Sequence, residues 1–587
     1  MALLLEVLKN NFRYIVALDY EFRQPEGDNP IVICGVYKEL KSNKTYKQKE
    51  LPYPIEDTLF VSFACNAEAS CLLSLGYGLP KYVWDPYIIN KKLFNGKLKI
   101  ESGAFSLINT ANRYGIKDVI SAEKKEYFRD LILNNKTYTP EQFNEILDYC
   151  ESDVITTEKL FYEQLKHLDQ FNYDPQEIIS QTLFHSKAFA YTAQIERNGI
   201  PVDANLYNDF NKYFVEITYE LIKETNSKYD LYEDNSFSHK KFEKFIESLK
   251  INNWPLTKTG KLKTDRDTIK EFSKIYNEVA DFQLTQEFVS CRNLKGYQIG
   301  KDGRSRTGLH MFQQKTGRTN ASPAKYPFGA PKWSRNFIRP DNGKVLLYLD
   351  YKSQEPAIQA ALSGDENLLA AYNSGDIYLY TAKLAGAAPQ EATKKSHPKI
   401  RELYKVAFLA NGYGQEAYGL SKRLNIPLST AKKIRVDILN VYKKYFNWIN
   451  SLVSKAMQRG YIKTVFGWTY HLSHNELSNP RSLLNWPIQS HGSEILRKAI
   501  IDLIDSSYEV SAIVHDAVLI HVPKSNLKEQ IVKAQEILSN AAYEVIGFKI
   551  PTDVRIIRRN FEQEGDEQDK FIRVIEKYNR FKRSVAA

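Results

Sequence analysis

Two acidic residues lie where an apolar segment of the sequence ends, and carboxylates in such positions can bind metal ions. Asp19 closes the apolar segment Tyr14–Asp19, and Glu21 follows two residues later. Alternate residues of a strand point to the same side, so these carboxylates would repel each other unless a cation lay between them. Mg²⁺ prefers such oxygen ligands. A solvated strand end gives the same short pattern, so the pair alone does not identify a site.

A motif with the same chemistry follows in a segment of helical spacing from Glu141 to Leu168. Tyr149 and Asp153 are four residues apart and would share one helix face. Asp153 would complete a metal site, while the Tyr149 hydroxyl would orient a water molecule. Two metal ions could then activate this water for cleavage of a phosphodiester.

Two later apolar segments, Val345–Asp350 and Tyr508–Asp516, each end in an aspartate. Adjacent strands of one sheet would bring these acids together. Buried carboxylates without partners are strongly unfavourable, and bound metal ions would offset that cost. The alternative is two aspartates that end unrelated strands, and spacing alone favours that alternative.

Between these segments, Ser396–Gly414 has helical spacing, with Pro398 suited to the first turn and Gly412 to the end. One face would carry two cations, an apolar residue and an aromatic residue, namely Arg401, Lys405, Leu409 and Tyr413. A triphosphate could lie against the cations while its base reached the apolar end. The alternative is a charged face exposed to solvent.

Taken in order, these segments resemble a known family. Asp350–Glu355, Arg401–Gly414 and Val514–Asp516 resemble motifs A, B and C of family A DNA polymerases. The segments that extend this resemblance are Thr316–Arg318, Arg481–Gln489 and Ile195–Asp203. Upstream, the motifs around Asp19 and Asp153 resemble the 3′→5′ exonuclease domain of proofreading DNA polymerases.

The resemblance implies a multidomain protein of α/β and α+β class. An RNase H-like 3′→5′ exonuclease domain would span residues 1–175, and a right-hand polymerase domain would span residues 176–587. The thumb would occupy about 200–310, and the palm and fingers about 311–587. Amphipathic helical spacing dominates residues 178–300, as a helical thumb requires.

The resemblance also implies roles for single residues of the polymerase domain. Asp350 and Asp516 would hold two Mg²⁺ ions, which Mn²⁺ could replace, while Arg401 and Lys405 would bind the phosphates of a dNTP. Glu355 would exclude the ribose 2′-hydroxyl. The other substrate-binding residues would be Tyr351, Leu409, Tyr413, His515, Arg318, Arg481, Asn485 and Gln489, with Arg318 and Gln489 contacting the minor-groove edge of the new base pair.

For the exonuclease domain, the implied metal ligands are Asp19, Glu21 and Asp153. Glu68 stands where the family usually has aspartate, and Asp85 follows where the family has a further acid. Glutamate reaches about one bond further than aspartate, so the geometry of the metal site should differ.

Two departures concern the polymerase motifs. Leu409 occupies a position where the family usually has Phe or Tyr, which predicts altered selection between deoxy- and dideoxynucleotides. Ala517 follows Asp516 where many members have glutamate, yet two aspartates should suffice for metal binding.

The segments Ser353–Asp365 and Asn66–Gly76 are similar to phage members. We therefore expect a phage replication enzyme in the cytoplasm of a bacterial host, with no room for a 5′-nuclease domain.

Composition agrees with this interpretation without proving it. The chain has 587 residues, enough for several domains, and a net charge of +11 that suits a polyanionic partner. Five cysteines without a C-x-x-C pair argue against a zinc site or a disulfide framework. No apolar run is long enough to span a membrane. The expected partners are primer–template DNA, dNTPs and candidate processivity proteins, bound by a monomer.

Exposed basic residues should hold the duplex phosphates without reading sequence. The candidates are Lys261, Lys263, Arg304 and Arg306, and ordinary surface residues are the alternative.

Three other functions stay open, namely a non-catalytic scaffold, an exonuclease that no longer polymerises, and a single-subunit RNA polymerase. The scaffold is disfavoured because the chain keeps the predicted catalytic and phosphate-binding residues Asp350, Asp516, Arg401 and Lys405. Glu355 and the exonuclease motifs argue against the RNA polymerase.

Overall fold

The computed structural model describes residues 3–98, 103–170, 174–257, 259–291, 296–322 and 325–586. Within these ranges, no helix is both long enough and apolar enough to cross a membrane. Asp19 and Glu21 lie on a sheet in the N-terminal part of the chain, whereas Asp350 lies on a separate sheet in the C-terminal part.

The N-terminal part alternates strands and helices. Its elements are α1 Leu3–Asn11, β1 Tyr14–Arg23, β2 Ile31–Glu39, β3 Lys44–Lys47, β4 Thr58–Val61, α2 Asn66–Ser74, β5 Tyr82–Trp84, α3 Pro86–Phe94, α4 Leu107–Arg113, α5 Ala122–Asn134 and α6 Pro140–Asp169. In the described part of this region, the strands form one sheet of order β3-β2-β1-β4-β5. The central strand, β1, pairs antiparallel with β2 and parallel with β4.

Strand β1 is longer than predicted, and this extension matters for the site. The apolar segment was expected to end at Asp19, but pairing with β2 continues to Arg23, so Asp19 and Glu21 lie on one strand. Residues Ile15 to Leu18 are buried, as expected for a strand covered on both faces.

Helix α6 begins with a capping box between Thr139 and Gln142, and Pro140 occupies its first turn. It runs for 30 residues and confirms the helix predicted over 141–168. Its buried face includes Cys150 and Asp153, so this helix carries polar groups toward the sheet.

Helix α7, Pro175–Asn198, joins the two halves of the molecule. Ile178 and Ile179 pack in the N-terminal core, whereas Ala188 and Tyr191 pack in the larger C-terminal core. The predicted boundary near 175 therefore falls where a shared helix begins. Residues 171–173, just before this boundary, lie outside the described residues.

Residues 200–291 are mainly helical, as predicted. The elements are β6 Ile200–Pro201, α8 Ala204–Lys212, α9 Phe214–Tyr229, β7 Tyr232–Glu233, β8 Ser236–Phe237, α10 His239–Ser248, α11 Arg266–Ser273 and α12 Asn277–Cys291. Aromatic residues such as Phe242, Trp254 and Phe282 form a separate small core here.

The C-terminal part surrounds a second sheet. Its elements are β9 Arg304–Ser305, β10 Leu309–His310, β11 Asn320–Ala321, a 3₁₀ helix Lys332–Phe337, β12 Lys344–Tyr351, α13 Gln354–Ser363, α14 Glu366–Asn373, α15 Ile377–Leu384, α16 Pro398–Gly412, α17 Ala417–Leu424, α18 Leu428–Val441, α19 Lys443–Arg459, β13 Tyr461–Lys463, β14 Thr469–His471, α20 His474–Ser478, a 3₁₀ helix Pro480–Leu483, α21 Trp486–Asp505, β15 Glu509–Val514, β16 Ala517–Pro523, α22 Leu527–Ile546, β17 Thr552–Ile557 and α23 Asp566–Ala586.

In the described residues, this second sheet has the order β15-β16-β12-β17, and all of its neighbours are antiparallel. Helices α14 to α19 form their own apolar core beside it.

Candidate active sites

A tight hairpin brings Asp350 and Asp516 to the same place. Strand β12 pairs with β16, and Asp350 lies directly opposite Ala517, the residue after Asp516. Directly opposite residues have Cβ atoms about 5 Å apart. The expectation that adjacent strands bring the two acids together is confirmed, and we call them the C-terminal pair.

The detail of the second strand was predicted wrongly. The segment Tyr508–Asp516 was expected to be one strand ending in the aspartate, but β15 ends at Val514. His515 has a φ of 58° and lies with Asp516 in the turn to β16. A two-residue hairpin requires such left-handed backbone to reverse the chain, so the turn, and not a strand end, presents Asp516.

The electrostatics of the C-terminal pair suit a divalent cation. Burial raises the pKa of Asp350 to about 6, and the nearby charge of Asp516 adds to this effect. Burial also raises the pKa of Asp516. The Oδ1 atom of Asp350 is buried and has no hydrogen-bond partner among the described residues. Two such carboxylates fit the oxygen preference of Mg²⁺.

Helix α16 spans Pro398 to Gly412, as the sequence predicted. Arg401 donates from Nε to Asp376 Oδ2 at 2.7 Å, and its guanidinium carbon lies 5.6 Å from the centre of the Tyr378 ring. Lys405 is partly exposed near Glu402. Sequence reasoning missed Asp376, which also caps α15. An aspartate that caps a helix is common, so nothing in the sequence marked it as a partner of Arg401.

Side chains from four separate segments meet near the end of α16. Gln489 on α21 donates from Nε2 to the Tyr413 hydroxyl at 3.3 Å. Arg318 Nη2 lies 3.7 Å from Glu355 Oε1 on α13. The structure therefore brings these four predicted residues into one neighbourhood.

A cavity of about 560 Å³ opens beside this neighbourhood. Its lining includes Arg318 and His515, together with Arg266 and Lys270 of α11. Residues of the predicted helical thumb region thus line the same cavity as His515, the chain neighbour of Asp516.

Three of the predicted substrate residues are paired or buried within the fold. Tyr351 is buried on the opposite face of β12 and donates its hydroxyl to the Leu538 carbonyl at 2.7 Å. The prediction of a substrate contact is wrong here because adjacent strand residues point to opposite faces. Arg481 pairs with Glu416 at 3.0 Å on the surface, and Asn485 is buried at the start of α21.

The four basic residues predicted to bind DNA phosphates fall into two groups, paired arginines and exposed lysines. Arg304 pairs with Glu509 at 2.7 Å, and Arg306 is buried and paired with Asp302. These two arginines connect parts of the fold, so the prediction that they hold DNA phosphates is wrong. Lys261 and Lys263 are exposed on the loop that precedes α11, and their role stays a prediction.

In the N-terminal domain, β1 and α6 converge on a second acidic group. Ligand atoms of Asp19, Glu21 and Cys150 all lie within 4.8 Å of one another. Cys150 donates from Sγ to Asp19 Oδ2 at 3.4 Å. Cys150 was not predicted as part of the site, although it lies between the two predicted α6 residues.

Glu68 on α2 lies near this group, close enough for the charge of Asp19 to act on it. Its side chain is buried, and its Oε2 atom has no hydrogen-bond partner in the described part of the chain. Burial raises the pKa of Glu68, and the charge of Asp19 raises it further. With Asp153, these residues form what we call the N-terminal cluster: Asp19, Glu21, Glu68 and Asp153.

A lysine compensates the charge of this cluster. Lys125 on α5 lies with Nζ 2.7 Å from Asp153 Oδ2. Burial, together with the charge of Asp153, raises the pKa of Asp19 to about 7, while Lys125 opposes this shift. Sequence reasoning missed Lys125, because nothing in its spacing separates it from other lysines of an amphipathic helix.

Tyr149 faces α5 from α6. Its ring stacks on Phe128 with centroids 4.7 Å apart. Burial raises the pKa of its hydroxyl, and the charge of Asp153 adds to this effect. Packing therefore orients the ring while the hydroxyl stays beside the acids.

Asp85 has a different role from the one predicted. Its carboxylate accepts hydrogen bonds from the backbone N–H groups of Ala64, Cys65 and Tyr87, at 3.0, 2.9 and 2.8 Å. Asp85 thus caps α3 and secures a neighbouring turn. The prediction that it is a metal ligand is not supported, because both of its oxygens are already hydrogen-bonded.

The N-terminal cluster also fits a divalent cation. Glu68 Oε2 and Asp153 Oδ1 are both buried without a hydrogen-bond partner among the described residues. Several convergent carboxylates in one buried place repel each other unless cations compensate them, and the donor set is that of Mg²⁺.

Comparisons with known proteins agree on the C-terminal part. Residues 205–561, well over half of the chain, match the sequence model of DNA polymerase family A. DNA polymerase I of Caldicellulosiruptor bescii is 24% identical over 584 residues, covering 92% of this chain and 65% of that protein. The thermostable DNA polymerase I of Thermus thermophilus is 26% identical over 325 residues, covering 51% and 38%.

The chain thus spans about one to two thirds of the length of these curated relatives. Among solved structures, the POL domain of Pol1 from M. smegmatis, in complex with DNA primer-template and dNTP, superimposes with a TM-score of 0.70 at 18% identity. It covers 95% of this chain and 98% of that one, a similarity of fold. On the extent of the family match, this chain belongs to DNA polymerase family A.

Proposed function

We propose that this protein extends a DNA primer from dNTPs on a DNA template and removes mismatched 3′ nucleotides with a second site. The observation that carries the proposal is the convergence of Asp350 and Asp516 at the ends of two adjacent strands of one sheet. The domains would be an RNase H-like exonuclease over 1–175 and a right-hand polymerase over 176–587.

At the polymerase site, Asp350 and Asp516 would hold two Mg²⁺ ions, which would activate the primer hydroxyl and neutralise the phosphates. Arg401 and Lys405 would bind the triphosphate. Asp376 holds the Arg401 Nε atom, so the remaining guanidinium donors stay directed outward for a bidentate phosphate contact.

Selection of the nucleotide would depend on neighbouring side chains. Glu355 would crowd the 2′ position of the sugar, and its contact with Arg318 fixes both side chains. Arg318 and Gln489 would donate to the minor-groove edge of the new base pair. Tyr413 would lie near the template base, where Gln489 donates a hydrogen bond to its hydroxyl.

At the exonuclease site, Asp19, Glu21, Glu68 and Asp153 would hold the divalent ions, which would activate a water and stabilise the leaving oxygen. Tyr149 would orient that water through its hydroxyl. The support for this second activity is the convergence of the partly buried Asp19 and Glu21 with the buried Glu68 and Asp153, because carboxylates gathered in such a place are strongly unfavourable unless cations compensate their charge.

A labelled primer–template assay tests both activities at once. With Mg²⁺, we expect extension with dNTPs but not with NTPs, and shortening of the primer when nucleotides are left out. Asp350→Ala should abolish extension alone, and Asp19→Ala should abolish shortening alone. Loss of both activities from either single change, in a folded protein, would contradict two separate sites.

We further propose that the chain serves phage DNA replication. The support is the similarity of the segment Ser353–Asp365 to phage members of the family. Production of this protein during infection of a bacterial host, and arrest of phage DNA synthesis when Asp350 is replaced in the phage genome, would test this role. Normal phage DNA synthesis with Asp350→Ala would contradict it.

A further inference from the structure

A buried arginine holds the loop that carries Arg318. Arg497 on α21 is almost completely buried, and it donates from Nη1 to the carbonyl oxygen of Gly317 at 2.6 Å. Gly317 directly precedes Arg318 in the chain. Because the Gly317 carbonyl and the Arg318 N–H belong to one peptide plane, this contact sets the direction in which the chain enters Arg318.

The contact depends on a close approach at Gly317, which has a φ of 76°. A Cβ atom there would lie 3.0 Å from Trp468 Nε1 and 3.2 Å from Arg497 Nη2, so glycine suits the position. The same loop is held at Lys315, whose carbonyl oxygen accepts a hydrogen bond from Trp486 Nε1 at 3.0 Å. The loop is therefore fixed at two points.

Glu494, one turn earlier on α21, holds the guanidinium of Arg497 in place. Its Oε2 atom accepts from Arg497 Nε at 3.2 Å, and both side chains are buried. Its Oε1 atom accepts from the Thr464 hydroxyl at 3.0 Å and lies 3.1 Å from Nε2 of His185 on α7. Burial by itself would raise the pKa of Glu494, but the charges and hydrogen bonds of Arg497 and His185 together hold it below its ordinary value. The ionised Glu494 thus gives Arg497 a fixed partner.

We propose that Arg497 is a positioning residue for Arg318, and that through Arg318 it contributes to discrimination between matched and mismatched nucleotides. The inference rests on the proposed polymerase function, in which Arg318 and Gln489 donate to the minor-groove edge of the new base pair. Gln489 lies on α21 itself. One helix therefore carries the first of these donors and holds the second through Arg497.

The test is a double-substitution cycle in the whole chain. All variants also carry Asp19→Asn, so that shortening of the primer does not remove misinserted nucleotides. Arg497→Lys keeps the charge beside Glu494 but loses the planar fork that reaches both Glu494 and Gly317. We expect it to lower the ratio of kcat/KM for matched over mismatched dNTP by about tenfold, as Arg318→Ala should do as well.

The combined variant identifies the route of the effect. If Arg497 acts through Arg318, Arg497→Lys should cause no further loss in an Arg318→Ala background. A purely structural role would lower the ratio by the same factor in both backgrounds, and that result would overturn the inference.

Lys498→Met is the matched control on the same helix. It removes a cation that pairs with Asp502 and Glu544, so it should lower the melting temperature without changing the ratio. An equal fall of the ratio in Lys498→Met would reveal a general effect of helix stability and would also contradict the role of Arg497.

Gly317→Ala tests the same contact from the other side, and it carries the test if Arg497→Lys lowers the melting temperature strongly. Its Cβ atom would press against Arg497 and Trp468, so the ratio should fall, and Arg318→Ala should again mask the fall. If both variants leave the ratio unchanged while Arg318→Ala lowers it, the role of Arg318 stands and that of Arg497 falls. If the unmodified protein does not extend a primer, the polymerase function itself is contradicted.

Discussion

The two acidic groups of this chain offset their negative charge in different ways. In the N-terminal cluster, Lys125 is bound to Asp153 within the protein. In the C-terminal pair, Asp516 lies in a hairpin turn next to His515, which lines a cavity. A covered cluster needs an internal cation to fold, whereas an open pair can rely on solvent and on the ions that substrate brings.

The largest effect should come from removing one acid of each group. We expect Asp516→Asn to lower primer extension by about a thousandfold or more, because metal stabilisation of the transition state amounts to several kcal/mol. Shortening of the primer should continue. Asp153→Asn should show the reverse pattern, and single-turnover assays of both activities would measure it. A variant that loses both activities would show that the two groups are not independent.

The internal lysine offers a sharper test of the comparison. Lys125→Met should destabilise the metal-free N-terminal domain, since the acids lose their partner, yet tighten divalent-ion binding there by about tenfold. Melting temperatures with and without EDTA, and the Mg²⁺ dependence of shortening, would measure both effects. Lys124→Met, an exposed neighbour on the same helix, serves as the control. Weaker ion binding in Lys125→Met would instead make the lysine part of the catalytic arrangement.

A change confined to the C-terminal site should leave the N-terminal one untouched. Leu409→Phe would place a planar ring beside the sugar and base, which should lower the KM for dNTP by about threefold and change the ratio of dideoxy- to deoxynucleotide incorporation. Shortening should keep its rate. Primer extension with paired dideoxy- and deoxynucleotides gives the measurement, and unchanged selectivity would contradict the role assigned to Leu409.

The smallest effect concerns pH in the absence of metal. The pKa of Asp19 rises from 3.8 to about 7 on folding. Between these values the folded protein keeps a proton that the unfolded chain releases, so stability falls as pH rises through this window. The melting temperature in EDTA should therefore drop by a few degrees from about pH 4 to 7.

Mg²⁺ should cancel this drop, because it binds the ionised folded form. Asp19→Asn should show a weaker pH dependence in EDTA. A melting temperature of the unmodified protein that does not change over this range would contradict the raised pKa of Asp19.

Prediction from sequence worked best where local pattern decides structure. The bounds of α16 follow from Pro398 and Gly412, since proline suits a first turn and glycine an end. Helix α6 follows from its long amphipathic spacing. Strand ends were less certain: β1 runs beyond Asp19, and β15 stops before His515, because pairing with a neighbouring strand sets where a strand ends.

The predicted roles of single residues were wrong where a partner elsewhere in the structure determines the contacts of the side chain. The motif around Asp350 suggested that Tyr351 contacts substrate, yet its hydroxyl bonds a carbonyl of α22. Arg304 and Arg306 carried the right charge for DNA, but acids far away in the chain or in the same turn bind them. Asp85 is an acid at the expected place, but backbone N–H groups occupy it.

By itself, the sequence determined the residue types and the order of the motifs, and therefore the family and the chemistry that carboxylates and a cationic helix can perform. Periodicity and capping residues act over a few positions, so they can be read from the chain directly. Only the tertiary structure decided which acids meet, that Lys125 compensates one group, and that Arg497 binds the carbonyl of Gly317. Those contacts join segments separated by tens to hundreds of residues. They are established by strand register and helix packing, which no local sequence pattern encodes.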